Sequence, residues 1–213
     1  MKKTLFILVV SLFLGSASFA QVKVGLTAGV NAANFIFSEK DLEPFNTNRY
    51  GLCGGLVIDL GVTKNFSIVP EILYIQKGAG VTIKEDSKNS EKMMTNLDYV
   101  QVPLNLTLKI NMGKSAKFLI LAGPYAGYAI SAKSVYETKI DGVKTKDTEN
   151  LDLGKREDEI NPLDIGANIG LGFEFGKLFF KSQVNAGLKN IINNNNNFTI
   201  TNGGVALSLG FYF

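Results

Sequence analysis

The chain of 213 residues has no histidine and a single cysteine, Cys53. Without histidine there is no Ser–His–Asp or Cys–His nucleophilic catalysis, and the commonest transition-metal ligand is gone. One cysteine closes no intrachain disulfide, so an exported chain of this kind holds its shape by other means. Charge of either sign is scarce in excess. The 22 basic residues, set against 19 acidic ones, include Lys2 and Lys3 of an N-terminal leader, which leaves 20 against 19 beyond it. No basic surplus remains to hold nucleic acid. Beyond the leader there is also no apolar run of the ~20 residues that a spanning helix needs.

The leader reads as a secretory signal peptide over residues 1–20. Lys2 and Lys3 form its positive start, Leu5 to Leu14 its apolar core, and Ser18-Phe19-Ala20 a small-x-small cleavage site. Residues 21–213 are then expected as one mature domain, long enough for a substantial core. Cys53 lies far from the cleavage site, so a lipoprotein signal is not indicated.

What the mature chain does contain is alternation. In "NLDYVQVPLNLTLKI", residues 96–110, Val100, Val102, Leu104, Leu106, Leu108 and Ile110 share one face. Tyr99, Gln101, Pro103, Asn105, Thr107 and Lys109 share the other, the period-two signature of a strand. Eight such segments are predicted, near 22–31, 49–60, 66–77, 97–110, 117–133, 161–175, 178–188 and 198–213. Short connections (61–65, 111–116, 176–177) alternate with long polar ones (32–48, 78–96, 134–160, 189–197). That layout predicts an all-β, eight-stranded, antiparallel up-and-down transmembrane β-barrel. A sheet in lipid must close, because an open edge leaves backbone groups without partners.

The two faces set the expected orientation. Leu, Ile, Val and Phe fill one face, while Gly25, Gly29, Gly55, Gly166, Gly170, Gly172 and Gly210 fall on the other with Asn, Ser, Lys and Glu. Bulky apolar residues suit lipid outside; glycine and polar groups suit a crowded interior. Phe66, Phe118, Phe173, Phe175, Phe211 and Phe213 cluster toward the short turns, and Tyr74, Tyr99, Tyr128 and Tyr136 toward the long loops, as two aromatic girdles. Pro70, Pro103 and Pro124 fall inside segments, where each must sit at a bulge or lose a ladder bond. "FLILAGPYAGYAI" is apolar on both faces and leaves its orientation open.

The stretches "IVPEILYIQKG", "YVQVPLNLTLKI", "LAGPYAGYAISAK", "IGANIGLGFEFGK" and the closing "LSLGFYF" resemble the outer-membrane β-barrel family of Bacteroidota, whose members are labelled porin-family or PorT-like. The resemblance covers nearly the whole mature chain, and the three strand prolines fall where that family tends to have them. It implies an integral outer-membrane protein of a Gram-negative bacterium, in contact with lipid and lipopolysaccharide, and no single activity. A terminal aromatic on a final amphipathic strand resembles the signal read by the barrel-assembly machinery, which makes Phe211 and Phe213 candidate assembly residues, with the last strand closing onto the first.

For function, Asp59, Glu71, Lys109, Glu174 and Lys181 project inward by parity, all in the turn-proximal half. Glu174 and Lys181 are expected diagonally across the 175–178 hairpin. Such a set reads as an internal salt-bridge plug, since an eight-stranded lumen is too narrow for an open channel. Cys53 is expected on the lumen face as a small buried filler, with no base to activate it. Asp141-Gly142 is a strong hairpin signal inside the longest loop, so the flanking strands are expected to extend. Glu157-Asp158-Glu159 lacks the spacing of a calcium loop, and the run Asn193–Asn197 suits an exposed turn. The sequence therefore predicts a non-enzymatic membrane protein with no cofactor or metal, serving as a structural or loop-display element. A small-solute pore and a soluble periplasmic lipocalin-like protein are the alternatives, and a barrel acyl hydrolase ranks last.

Overall fold

The alternation is realised in space. In the computed structural model, which describes residues 22–38, 46–84, 90–113, 115–140, 143–156, 159–193 and 198–213, Leu106 is 49% exposed while its neighbour Asn105 is 1% exposed. Leu104, Ile169 and Leu207 likewise face outward, and Asn168 and Lys181 are buried in the centre. This is the reverse of a soluble barrel, whose apolar side chains fill the interior.

Among the described residues nine strands form: β1 (Val22–Phe37), β2 (Asn46–Gly61), β3 (Phe66–Lys84), β4 (Ser90–Asn111), β5 (Ala116–Ile140), β6 (Val143–Asn150), β7 (Leu163–Phe175), β8 (Leu178–Gly187) and β9 (Ile200–Tyr212). Every pairing between them is antiparallel. Eight close a ring, because β4 pairs with β5, β5 with β7, and β9 with β1. Among the described residues β6 pairs with β5 alone, so the ninth strand is a branch on the expected ring of eight. The branch is the hairpin signalled by Asp141-Gly142: those two residues lie outside the described ones, but the Ile140↔Val143 pair flanks them.

The long connections differ from expectation. Residues 78–84, 90–96, 134–140 and 143–150 are strand rather than polar loop, so β3, β4, β5 and β6 stand well above β7 and β8. Their ladders continue where the apolar–polar alternation stops, for example Gly80↔Met94 and Tyr136↔Asp147. Backbone bonding does not need an amphipathic face. Gly78 adopts φ +124° opposite Asn96, a conformation that side-chain-bearing residues rarely reach, and lets β3 continue past this point.

The prolines resolve consistently. Each keeps one ladder and loses the other: Pro70 pairs with Leu104, Pro103 with Tyr125 and Pro124 with Ala167. The β2–β3 pairing skips from Val57↔Glu71 to Leu60↔Ile68, and the β3–β4 pairing from Pro70↔Leu104 to Leu73↔Gln101. The β4–β5 pairing skips from Pro103↔Tyr125 to Leu106↔Ala122. Register is the same on both sides of every gap, so these are missing bonds and not bulges. True register shifts lie elsewhere, between Asn48 and Cys53 and at Asp98/Tyr99. At the first, side chains satisfy the freed backbone: Asn31 Nδ2 donates to Gln76 O at 2.8 Å, and Gln76 Oε1 accepts from Leu52 N at 3.0 Å.

The exterior carries the belt. Phe118, Phe173 and Phe175 stack in sequence, with ring centroids 5.2 and 6.1 Å apart, at the turn end. Tyr74, Tyr128 and Tyr136 are exposed toward the other end. Tyr99 is a correction to the girdle: it is completely buried inside the barrel, as its parity with Gln101 requires. The ambiguous fifth strand turns Leu119, Leu121, Tyr125 and Ala129 inward and Ile120, Tyr128 and Ile130 outward.

Candidate functional site

The barrel interior concentrates buried polar groups among the described residues, and it is filled. Starting at the turn end, Lys109 donates to Asp59, and Glu174 receives Lys23 Nζ at 2.6 Å, Lys117 Nζ at 3.3 Å and Lys109 Nζ at 3.8 Å. The expected diagonal contact between Glu174 and Lys181 is replaced. Lys181 Nζ instead reaches both oxygens of Glu71 at 2.5 Å, across the lumen from its own hairpin. Three lysines already crowd Glu174, whereas Glu71 has only Asn105 Nδ2 at 3.1 Å besides. Asn105 Oδ1 in turn accepts from Asn168 Nδ2 at 3.4 Å.

Packed among these ionic groups is an apolar collar of Val57, Val69, Phe179 and Tyr212, with Val57 opposite Glu71 and Phe179 opposite Glu174 in the ladders. The Phe179 and Tyr212 rings lie 4.7 Å apart. The Phe179 ring occupies space that Gly210 leaves free: a Cβ there would lie 2.0 Å from its Cζ. A gap of about 20 Å³ remains at this level, room for about one water. Cys53 lies farther along the lumen, buried, with Sγ 3.7 Å from Ser208 Oγ.

A second ionic cluster occupies the loop-end half. Asp164 accepts from Lys77 Nζ at 2.9 Å, Asn202 Nδ2 at 3.0 Å and the Tyr125 hydroxyl at 3.3 Å. Asn202 also donates to the Tyr99 hydroxyl at 3.2 Å. The Lys77 ammonium sits 4.3 Å from the Tyr125 ring centroid and 5.4 Å from that of Tyr99. Arg49 extends the cluster to Asp98 at 3.0 Å and to the carbonyls of Leu97 and Lys77. Parity places Asp164 and Asn202 inward, and that signal was available; Tyr125 lies in the segment whose two faces are both apolar, and its direction was not. What it does not supply is the stagger that brings β3, β5, β7 and β9 together at one height.

Above this cluster the mouth is capped. Ile191 is buried with Ile75, Leu97, Tyr99, Ala129 and Ala132, and Leu151, Leu153, Ile160, Ile192 and Phe35 pack against them. Residues 151–156 bond to 159–162 through Gly154 N to Ile160 O at 3.0 Å, and 159–162 bond to 188–193 through Asn161 N to Ile191 O at 2.8 Å. Asn193 Nδ2 donates to the carbonyls of Gly154 and Glu159, both at 3.0 Å. That asparagine is a fastener rather than part of an exposed turn; residues 194–197 lie outside the described ones, as do Glu157 and Asp158. Glu159 accepts from Arg156 N at 2.8 Å. Among the described residues no group of three or more carboxylate, cysteine or histidine side chains is placed to hold a metal.

At the closing seam, β9 pairs with β1 from Gly25↔Tyr212 to Phe37↔Ile200, and Phe213 N donates to Val24 O at 2.9 Å. Phe211 and Phe213 project outward, their rings 6.1 Å apart edge to face.

A family model described as the outer membrane protein beta-barrel domain matches residues 18–193. No match is found among curated proteins. Solved structures of the attachment invasion locus protein Ail of Yersinia pestis are similar at 10% identity (90% of this chain, 98% of theirs, TM-score 0.44). In complex with the heparin analogue sucrose octasulfate, Ail gives 12% identity (90% and 99%, TM-score 0.45). Neisserial surface protein A is similar at 8% identity over 89% of this chain and 97% of its own, with a TM-score of 0.40.

Proposed function

From a chain that belongs to the outer membrane protein beta-barrel domain family, we propose a non-enzymatic integral protein whose plugged barrel anchors a raised scaffold for display and binding. The observation that carries this reading is the combination of an apolar exterior with an interior occupied by two ionic clusters, an apolar collar and an apolar cap. A lumen so filled argues against a solute path, and among the described residues no pair of groups in it resembles a nucleophile with its base. The raised end of β3–β6, with every described residue of β6 exposed, offers the surface on which a partner would act.

In this reading residues 1–20 are a cleaved signal peptide and residues 21–213 the mature barrel. The protein resides in a Gram-negative outer membrane, among lipid and lipopolysaccharide. The resemblance to PorT-like proteins of Bacteroidota supports that placement. Asp59, Glu71, Lys109, Glu174 and Lys181 are structural, and Phe211 and Phe213 act as the address for the barrel-assembly machinery. The test is single-channel recording of the purified folded barrel in planar bilayers. A silent bilayer, with protein insertion verified separately, supports the plug; stable conductance steps would replace it with a pore.

A further inference from the structure

The raised end of β3–β6 sorts its charges by face. Residues 90–96 of β4 keep the parity that turns Val100 toward lipid, and residues 78–82 of β3 pair with them in unchanged register. The shift at Asp98/Tyr99 brings the odd-numbered residues of β5 onto that same side, and the β5–β6 ladder adds the even-numbered residues of β6. Beyond Asp98, the outward side of this sheet therefore carries Lys92, Lys133, Lys139, Lys144 and Lys146, and among the described residues Glu137 is its one acid. The opposite side carries Glu91, Asp147 and Glu149 and, among the described residues, no lysine or arginine.

A sheet that is merely solvated intersperses both signs on its surface. On the outward side, instead, Lys139 stands directly opposite Lys144, and Lys92 and Lys146 flank Glu137 across its two ladders. Like charges placed directly opposite repel. None of Lys92, Lys133, Lys144 and Lys146 has an ion pair with another described residue. Within the patch lies a hollow of about 310 Å³, lined by Lys92, Lys139 and Lys144 together with Glu137, Thr82 and Ser90. Its ammonium groups suit a phosphate. Its carboxylate and hydroxyls suit the hydroxyls of a sugar, the first as acceptor and the others as donor or acceptor.

Height selects the source of that phosphate. Strands rise about 3.3 Å per residue and barrel strands tilt by about 40°, so Lys133 to Lys139 stand roughly 13–28 Å beyond Tyr128 of the loop-end girdle. Phospholipid headgroups occupy only about 5–8 Å on each side of the hydrocarbon and end short of the hollow. A glycolipid whose sugars carry phosphates away from the membrane reaches it. We propose that the outward face of the raised sheet is a binding site for the phosphorylated sugar headgroup of an outer-leaflet glycolipid. The site deepens, and rests on, the reading of β3–β6 as a raised binding surface.

The test uses the full mature chain, folded in nonionic detergent, with Thr148→Trp as a reporter on the same face of a chain that has no tryptophan of its own. It is titrated with rough lipopolysaccharide, with the same material stripped of its phosphates, and with short-chain phosphatidylglycerol. A saturable change in emission is expected with intact lipopolysaccharide, about tenfold weaker once the phosphates are gone. Lys144→Gln with Lys146→Gln, at two exposed positions, should weaken binding about tenfold. Lys64→Gln with Lys177→Gln, on turns at the opposite end, should leave it unchanged. Each variant is first shown to keep its heat-dependent mobility on a detergent gel, and Lys92→Gln gives the same reading with a smaller loss should the β6 pair fail to fold. The proposal fails if the stripped form or phosphatidylglycerol binds as well as the intact glycolipid, or if the turn-end pair costs as much as the β6 pair. A conducting barrel would refute the plug and leave this titration standing, whereas a silent, folded barrel with no response to lipopolysaccharide refutes the site alone.

Discussion

Asp164 shows what a single lumen residue is worth. It is fully buried, with Lys77 as its ionic partner and Tyr125 and Asn202 as donors. Removing one member of such a pair strands the other charge, at a cost of about 3–5 kcal/mol. Asp164→Ala should therefore lower the urea midpoint of the folded barrel sharply, while the Asp164→Leu, Lys77→Met double variant should recover most of that loss. If the double variant is no better than the single one, the pair is not the source of the effect. Gly210 makes the complementary point about space. Gly210→Ala overpacks the collar against Phe179 and should cost about 1–3 kcal/mol, with partial recovery when Phe179→Leu is added, read in the same denaturation assay. Parity was enough to tell which side chains turn inward on every strand but the fifth, Asp164 and Lys181 included. Partner choice was not legible. Lys181 prefers Glu71 over the nearby Glu174 because of lysines arriving from β1, β4 and β5, strands brought together only by closure of the ring.

Strands with an amphipathic pattern were readable along the ring, and strands without one were read as loops. β4 illustrates both: residues 97–110 alternate cleanly, while Ser90–Asn96 pair with β5 and β3 without any apolar period. The branch made by β5 and β6 was foreshadowed by Asp141-Gly142, because that dipeptide suits the positive φ angles of a tight hairpin. Since β6 pairs only with β5 among the described residues, the ring should not need it. Replacing residues 135–149 with a short glycine-serine turn should leave a barrel that still migrates differently before and after boiling on a detergent gel. Loss of that mobility difference would mean that the branch supports the ring. The apolar cap was not legible at all. Its Leu151, Leu153, Ile160 and Ile191 are scattered through polar segments with no period to betray them, and they meet where residues 151–156 and 188–193 both flank 159–162.

For the molecule as a whole, the decisive property is the direction in which the apolar residues face. The chain contains no tryptophan, so one introduced ring reports its surroundings cleanly. Leu106→Trp, on the outer wall, should emit at short wavelength and be quenched by lipids brominated on their acyl chains, whereas Thr107→Trp should resist that quencher. Equal quenching at the two sites, after both variants are shown to fold, would contradict the inside-out arrangement. The closing seam carries one more implication. Apart from the β5–β7 crossing, the other ring contacts join strands adjacent in the chain, but Thr27 on β1 donates to Leu209 on β9 across a separation of 182 residues. Ladders that distant form late, because the entropy of bringing their ends together comes before any reward. While the ring assembles, β1 must therefore remain a sticky open edge until β9 arrives, and that interval is when the chain is most exposed to pairing with the wrong strand.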